Sequence, residues 1–135
     1  MRSRTILGLA LALAGCSSSV GLGGTLEAGV WGGDRANLIV TRDSARAEFD
    51  CASGWLDAPI ELDGVGQFDV EGSYRFEAGP VDLPVPARWT GVVEPVAGGS
   101  VITLSVIVRH PNAPPVTLGP YHLTKGQRVT VGFCA

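Results

Sequence analysis

Residues 67–77 read QFDVEGSYRFE, and this stretch decides the class of the fold. Phe68, Val70, Gly72, Tyr74 and Phe76 alternate with Gln67, Asp69, Glu71, Ser73, Arg75 and Glu77. A strand sends successive side chains to opposite faces, so this order builds one apolar and one polar face; on a helix the same period would wind the stripe around the axis. The segment therefore reads as a half-buried strand. Working outwards, Ala45, Ala47, Phe49 and Cys51 alternate with Arg46, Glu48 and Asp50. Ile102, Leu104, Val106 and Val108 repeat the pattern, but Val101 and Ile107 make the second face apolar as well, which predicts a strand covered on both sides. Further strands are predicted at 29–33, 36–42, 59–63, 87–94, 116–123 and 127–133. Between them lie Asp43–Ser44, Asp63–Gly64, Ala97–Gly98–Gly99 and Lys125–Gly126, the Asx and glycine chemistry of hairpin turns. Short strands at this spacing, with no helical period, predict an all-β domain, a small antiparallel β-barrel or β-sandwich of about eight strands. Residues 79–86 and 110–115 are proline-rich, lack ladder donors at the prolines, and are predicted as loops or edges.

The 135 residues are 45% hydrophobic and 17% charged, the composition of a folded chain with material for one core. Formal charge is −3. Arg2 and Arg4 lie in the leader described next, so the remainder carries eight positive side chains against 13 negative ones, with the positives scattered singly. No phosphate-binding patch is built that way, and nucleic acid is excluded as an expected partner.

At the N-terminus, Arg2 and Arg4 precede an apolar run from Ile6 to Leu13, too short to span a bilayer, and Leu13, Ala14, Gly15 and Cys16 follow. These four residues resemble the lipobox of bacterial lipoproteins. The resemblance implies removal of residues 1–15, a diacylglyceryl group (palmitate-type acyl chains) on the Cys16 thiol, and a protein anchored to the membrane of the bacterial cell envelope. Several acyl chains, at about 0.8 kcal/mol per buried methylene, hold far better than one. Ser17 in place of Asp implies, by the family's sorting rule, the outer membrane, facing the periplasm or the cell surface. Residues 16–28 are then the lipidated cysteine and a flexible linker, rich in Ser and Gly, and 29–135 a single β domain.

With Cys16 committed to lipid, Cys51 and Cys134 remain, in a compartment where disulfides persist, and are predicted to pair. His110 and His122 are isolated, no acidic run has calcium-loop spacing, and no GxSxG or Ser-His-Asp grouping stands out. Neither a metal, a cofactor nor an enzymatic activity is expected. Trp55 and Tyr121 are placed at strand ends or loops, as plugs of a barrel or as anchors for a partner.

Gly29, Val30 and Trp31 form a G-x-W on the first predicted strand, and Arg128 falls on the last. This resembles lipocalins and their calycin relatives, in which a basic side chain from the final strand covers that tryptophan. The resemblance implies a lipocalin-like barrel with a cavity for a small apolar ligand, here lined by Trp31, Phe49, Phe68, Tyr74 and Trp89. The functional expectation is a non-enzymatic lipoprotein binding a small apolar ligand or another envelope component. The alternative is a structural or protein-interaction β-sandwich with no small ligand.

Overall fold

The computed structural model describes residues 23–78 and 83–134; the leader, Cys16, residues 17–22, residues 79–82 of the predicted 79–86 loop and Ala135 lie outside the described residues. Among the described residues there are ten strands: β1 (Gly24–Thr25), β2 (Gly29–Gly33), β3 (Ala36–Val40), β4 (Ala45–Phe49), β5 (Ala52–Leu56), β6 (Glu61–Leu62), β7 (Gln67–Phe76), β8 (Val85–Val96), β9 (Gly99–Val108) and β10 (Val116–Lys125). Strands β2–β5 and β7–β10 form a closed antiparallel barrel, each hydrogen-bonded to its sequence neighbour, with β10 returning to β2. Closure decides for the barrel over the sandwich and pairs the edges an open meander would expose.

The two halves of the barrel differ. Strands β2–β5 are short and turn small side chains inwards, among them Ala36, Ala45, Ala47, Ala52 and Gly54. Strands β7–β10 are twice as long and send in Phe68, Tyr74, Trp89, Ile102, Leu104, Val106, Val108 and Leu123. Large faces small across the interior. A Cβ on Gly54 would stand 2.3 Å from Trp89 Cζ2, and one on Gly91 would stand 2.5 Å from Phe68 Cζ, so both glycines are places where an aromatic ring lies directly on backbone.

The seam between the halves is narrow. Strands β10 and β2 pair only at Thr124↔Gly32 and Lys125↔Trp31. Beyond that point Asp34 Oδ2 accepts from the His122 backbone N–H at 2.7 Å and lies 2.9 Å from His122 Nδ1. Asp34 and Arg35 form the two-residue β2–β3 turn, with φ of 50° and 60°, the left-handed pair that matches hairpin twist.

Antiparallel order gives the barrel two ends. At one, β1 pairs with β6, the Leu26 N–H donates to Ile60 O at 2.7 Å, and the buried Leu26 and Ile60 side chains close the interior. Residues 24–28, expected within the linker, thus belong to the domain; burial of Leu26 is what recruits them. At the other end lie the turns at 34–35 and 50–51 and the connections after β7 and β9.

Three strand expectations change. Residues 127–133 make no strand; they cross the outer wall as an extended tail, because the edge they would need is already taken by β10. The Asn37 side chain, pointing outwards from β3 yet only 1% exposed, receives the tail: its Nδ2 donates to Val129 O at 2.7 Å and its Oδ1 accepts from Val129 N at 2.8 Å. The predicted 59–63 strand shrinks to Glu61–Leu62, and an unpredicted strand, β5, carries Trp55. The expected Cys51–Cys134 disulfide is present and ties the tail to the β4–β5 turn, with Cα atoms 4.9 Å apart.

Candidate functional site

The end of the barrel opposite β1 holds an apolar recess of about 290 Å³, lined by Tyr74, Phe76, Val108, His110, Val116 and Leu118. Its walls follow from strand ends. Alternation along β7 turns Tyr74 inwards and carries the next residue of that face, Phe76, to the rim, where it is exposed. Strand β9 ends at Val108, and β10 begins with Val116 and Leu118. The register of β10 against β9 slips by one residue between Leu118↔Val106 and Tyr121↔Leu104. Such a bulge flips the parity of the strand, so that Leu118 and Tyr121 both turn towards the interior. Gly119 sits in that bulge with φ 99°, and a Cβ there would stand 2.7 Å from Leu104 O.

Beneath the recess lies an aromatic floor. Phe49 is 5.1 Å from Tyr121, 6.0 Å from Tyr74 and 6.0 Å from Trp89, ring centre to ring centre. Burial pushes both tyrosine hydroxyls above the usual phenol value; the neighbouring Tyr121 adds to the shift at Tyr74, and the Asp50 charge adds to that at Tyr121. Both therefore stay protonated at neutral pH, and Tyr74, which lines the recess, brings a phenol to an otherwise apolar space. A molecule held here would put carbon against Phe76, Val108, Val116 and Leu118 and a polar group near the Tyr74 phenol or His110.

The five side chains expected around one cavity are all buried, and of the five Tyr74 alone lines the recess. Phe49, Tyr74 and Trp89 meet in the aromatic floor. Phe68 covers Gly91 near the opposite end, and Trp31 lies by the seam. Phe76, Val108, His110, Val116 and Leu118 were not read as site residues. The available signal was apolar residues at strand ends beside the proline-rich segments.

The cation over Trp31 is Lys125, not Arg128. Register sets Lys125 opposite Trp31, its Nζ 5.3 Å from the ring centre, while Glu27 Oε1 accepts from that Nζ at 2.9 Å and Glu27 O from Trp31 Nε1 at 3.1 Å. Arg128 lies on the tail and donates to Glu48 Oε1 at 3.1 Å. His110 sits at the recess rim, whereas His122 lies on β10 beside Asp34. Among the described residues no three His, Cys, Asp or Glu side chains converge as metal ligands, and no helix is long and apolar enough to cross a membrane.

Comparison of the chain with protein-family models, curated proteins and solved structures found no match.

Proposed function

We propose that this chain is a lipid-tethered protein of the bacterial cell envelope whose barrel binds a small apolar ligand, without catalysis, at the end away from its tether. The observation that carries the reading is the apolar recess between β7, β9 and β10, with its rim of Phe76 and Val116. A volume of about 290 Å³ suits a small ligand or one stretch of an acyl chain, at the low end of ligand pockets. The tether enters at the opposite end, because Gly24–Thr25 pairs with Glu61–Leu62 there, leaving the recess directed away from the anchor. The stretch Leu13, Ala14, Gly15 and Cys16, with Ser17 after it, supports lipidation at Cys16 and placement in the outer membrane. Lys125 over Trp31 supports the lipocalin-like reading from a different residue than Arg128.

The test is displacement of a fluorescent fatty acid from wild type and Val108→Trp, in which an indole fills the recess. Wild type is expected to bind the probe saturably, and the variant to bind at least about tenfold more weakly with an unchanged circular dichroism spectrum. Equal binding by both proteins contradicts the reading. Exposed Leu83, Phe76 and Val116 favour a second one, in which this end docks another envelope protein; absence of probe binding together with a specific crosslink from Phe76 would select it.

A further inference from the structure

On the outer wall, away from the recess, the tail and the polar faces of β4, β5 and β7 enclose a cleft of about 330 Å³. One side is Trp55, half-buried on β5, with the Arg75 guanidinium 5.0 Å from its ring centre. Phe133, 89% exposed, also lines the cleft. That exposure is unusual for an aromatic whose backbone is held on both sides. Asp50 Oδ1 accepts from the Gly132 N–H at 2.6 Å, Gly132 O accepts from the Cys51 N–H at 3.0 Å, and Cys134 is in the disulfide. The ring is thus presented to solvent by a fixed frame, and a partner would meet it already ordered.

The same cleft is lined by paired donors and acceptors. Arg46 and Arg128 both reach Glu48 Oε1, at 3.4 and 3.1 Å, and Ser53 and Arg75 both donate to Glu77 Oε1, at 2.7 and 3.2 Å. Those hydrogen bonds, Ser53 first and then Arg75, hold the Glu77 carboxyl below its usual range, so it stays ionised. Three guanidiniums share two carboxylates, so each cation has an acidic partner and a single net positive charge is left, a weak field for a simple anion, while charges at this density make a poor home for an alkyl chain. Paired donors and acceptors beside aromatic side chains match a molecule whose groups donate and accept together and which has a flat C–H face.

We propose that this cleft binds a saccharide unit, its hydroxyls bridging the Arg–Glu pairs and its ring face against Phe133 and Trp55. The test is calorimetric titration of the disulfide-bonded full chain with maltotetraose, chitotetraose and tetragalacturonate, alongside tryptophan fluorescence. At least one of the three is expected to bind saturably and to change the emission of Trp55, the change disappearing in Trp55→Phe. Phe133→Ala should weaken that binding by about tenfold, the loss typical of removing an aromatic anchor, while leaving the thermal melt unchanged because the ring is 89% exposed. No saturable binding of any of the three, equal binding by Phe133→Ala, or displacement of the sugar by inorganic phosphate would each overturn the proposal.

Discussion

The short-stranded half of the barrel, β2–β5, and the long-stranded half, β7–β10, reach stability by different routes. In the long half, β8 and β9 are paired from Ala87↔Val108 to Val96↔Gly99, and large apolar side chains sit on every inward face. In the short half the ladders end after five residues and the inward faces interleave Ala36, Ala45, Ala47, Ala52 and Gly54 with Trp31, Leu38, Val40, Phe49 and Leu56. That half is cross-braced from outside: the tail runs over Gly32, is gripped by both ends of the Asn37 amide, meets Asp50 through Gly132, and ends in the Cys51–Cys134 disulfide. Ladder length and core volume hold one half; covalent and polar bracing hold the other. The difference also sorts the two candidate sites, since the recess is built from long strand ends and the saccharide cleft from the brace itself.

The comparison breaks most severely if the brace is cut. Cys51→Ala with Cys134→Ala removes a link across 83 residues, and the chain-entropy model puts the loss at about 4.5 kcal/mol. Urea denaturation is expected to show that loss, with amide exchange rising first in β2–β5. Uniform loosening of both halves would mean that they do not differ as described. The interior side of the contrast is sharpened by Gly54→Ala. Its added Cβ meets the Trp89 ring on a β-strand backbone that cannot easily retreat, and overpacking of this kind costs about 1–3 kcal/mol. Combining it with Trp89→Leu should restore part of that loss, measurable as a positive coupling in thermal melts.

The smallest effect at neutral pH belongs to Asp50→Asn. Hydrogen bonds from Arg35, then from the Gly132 N–H, hold the Asp50 carboxyl below its ordinary value of 3.8. A carboxyl whose folded pKa is depressed contributes stability that is present above the unfolded value and disappears as pH falls through the folded one. Wild type should therefore lose melting temperature below about pH 4 more steeply than the asparagine variant. Identical acid limbs in the two proteins would show that Asp50 does not tie the tail.

What could be read from the sequence follows the same division. Strands β7 and β9 were legible because their inward residues are large enough to make an apolar stripe. Strand β5 was missed because Ala52 and Gly54 are too small to register as one, although with Leu56 they keep perfect alternation. The tail misled in the opposite sense: Val129, Val131 and Phe133 alternate like a strand, but pairing requires an edge, and the partner turned out to be a side-chain amide. The disulfide was legible by counting thiols. The recess was not, because it depends on where three strands end and on a one-residue bulge at Gly119. The cation on Trp31 was foreseen in kind and misplaced by three residues, since the length of β10 depends on pairing that no local pattern reports.

The most direct test of a tethered, ligand-holding barrel is a native mass spectrum of the protein extracted gently from the envelope of the cells that make it. The expected species begins at Cys16 with acyl groups attached, lacks two hydrogens for the Cys51–Cys134 bond, and carries a further discrete mass that is lost in Val108→Trp. A species that begins at Met1, or that carries no mass beyond the processed chain, would contradict the proposal.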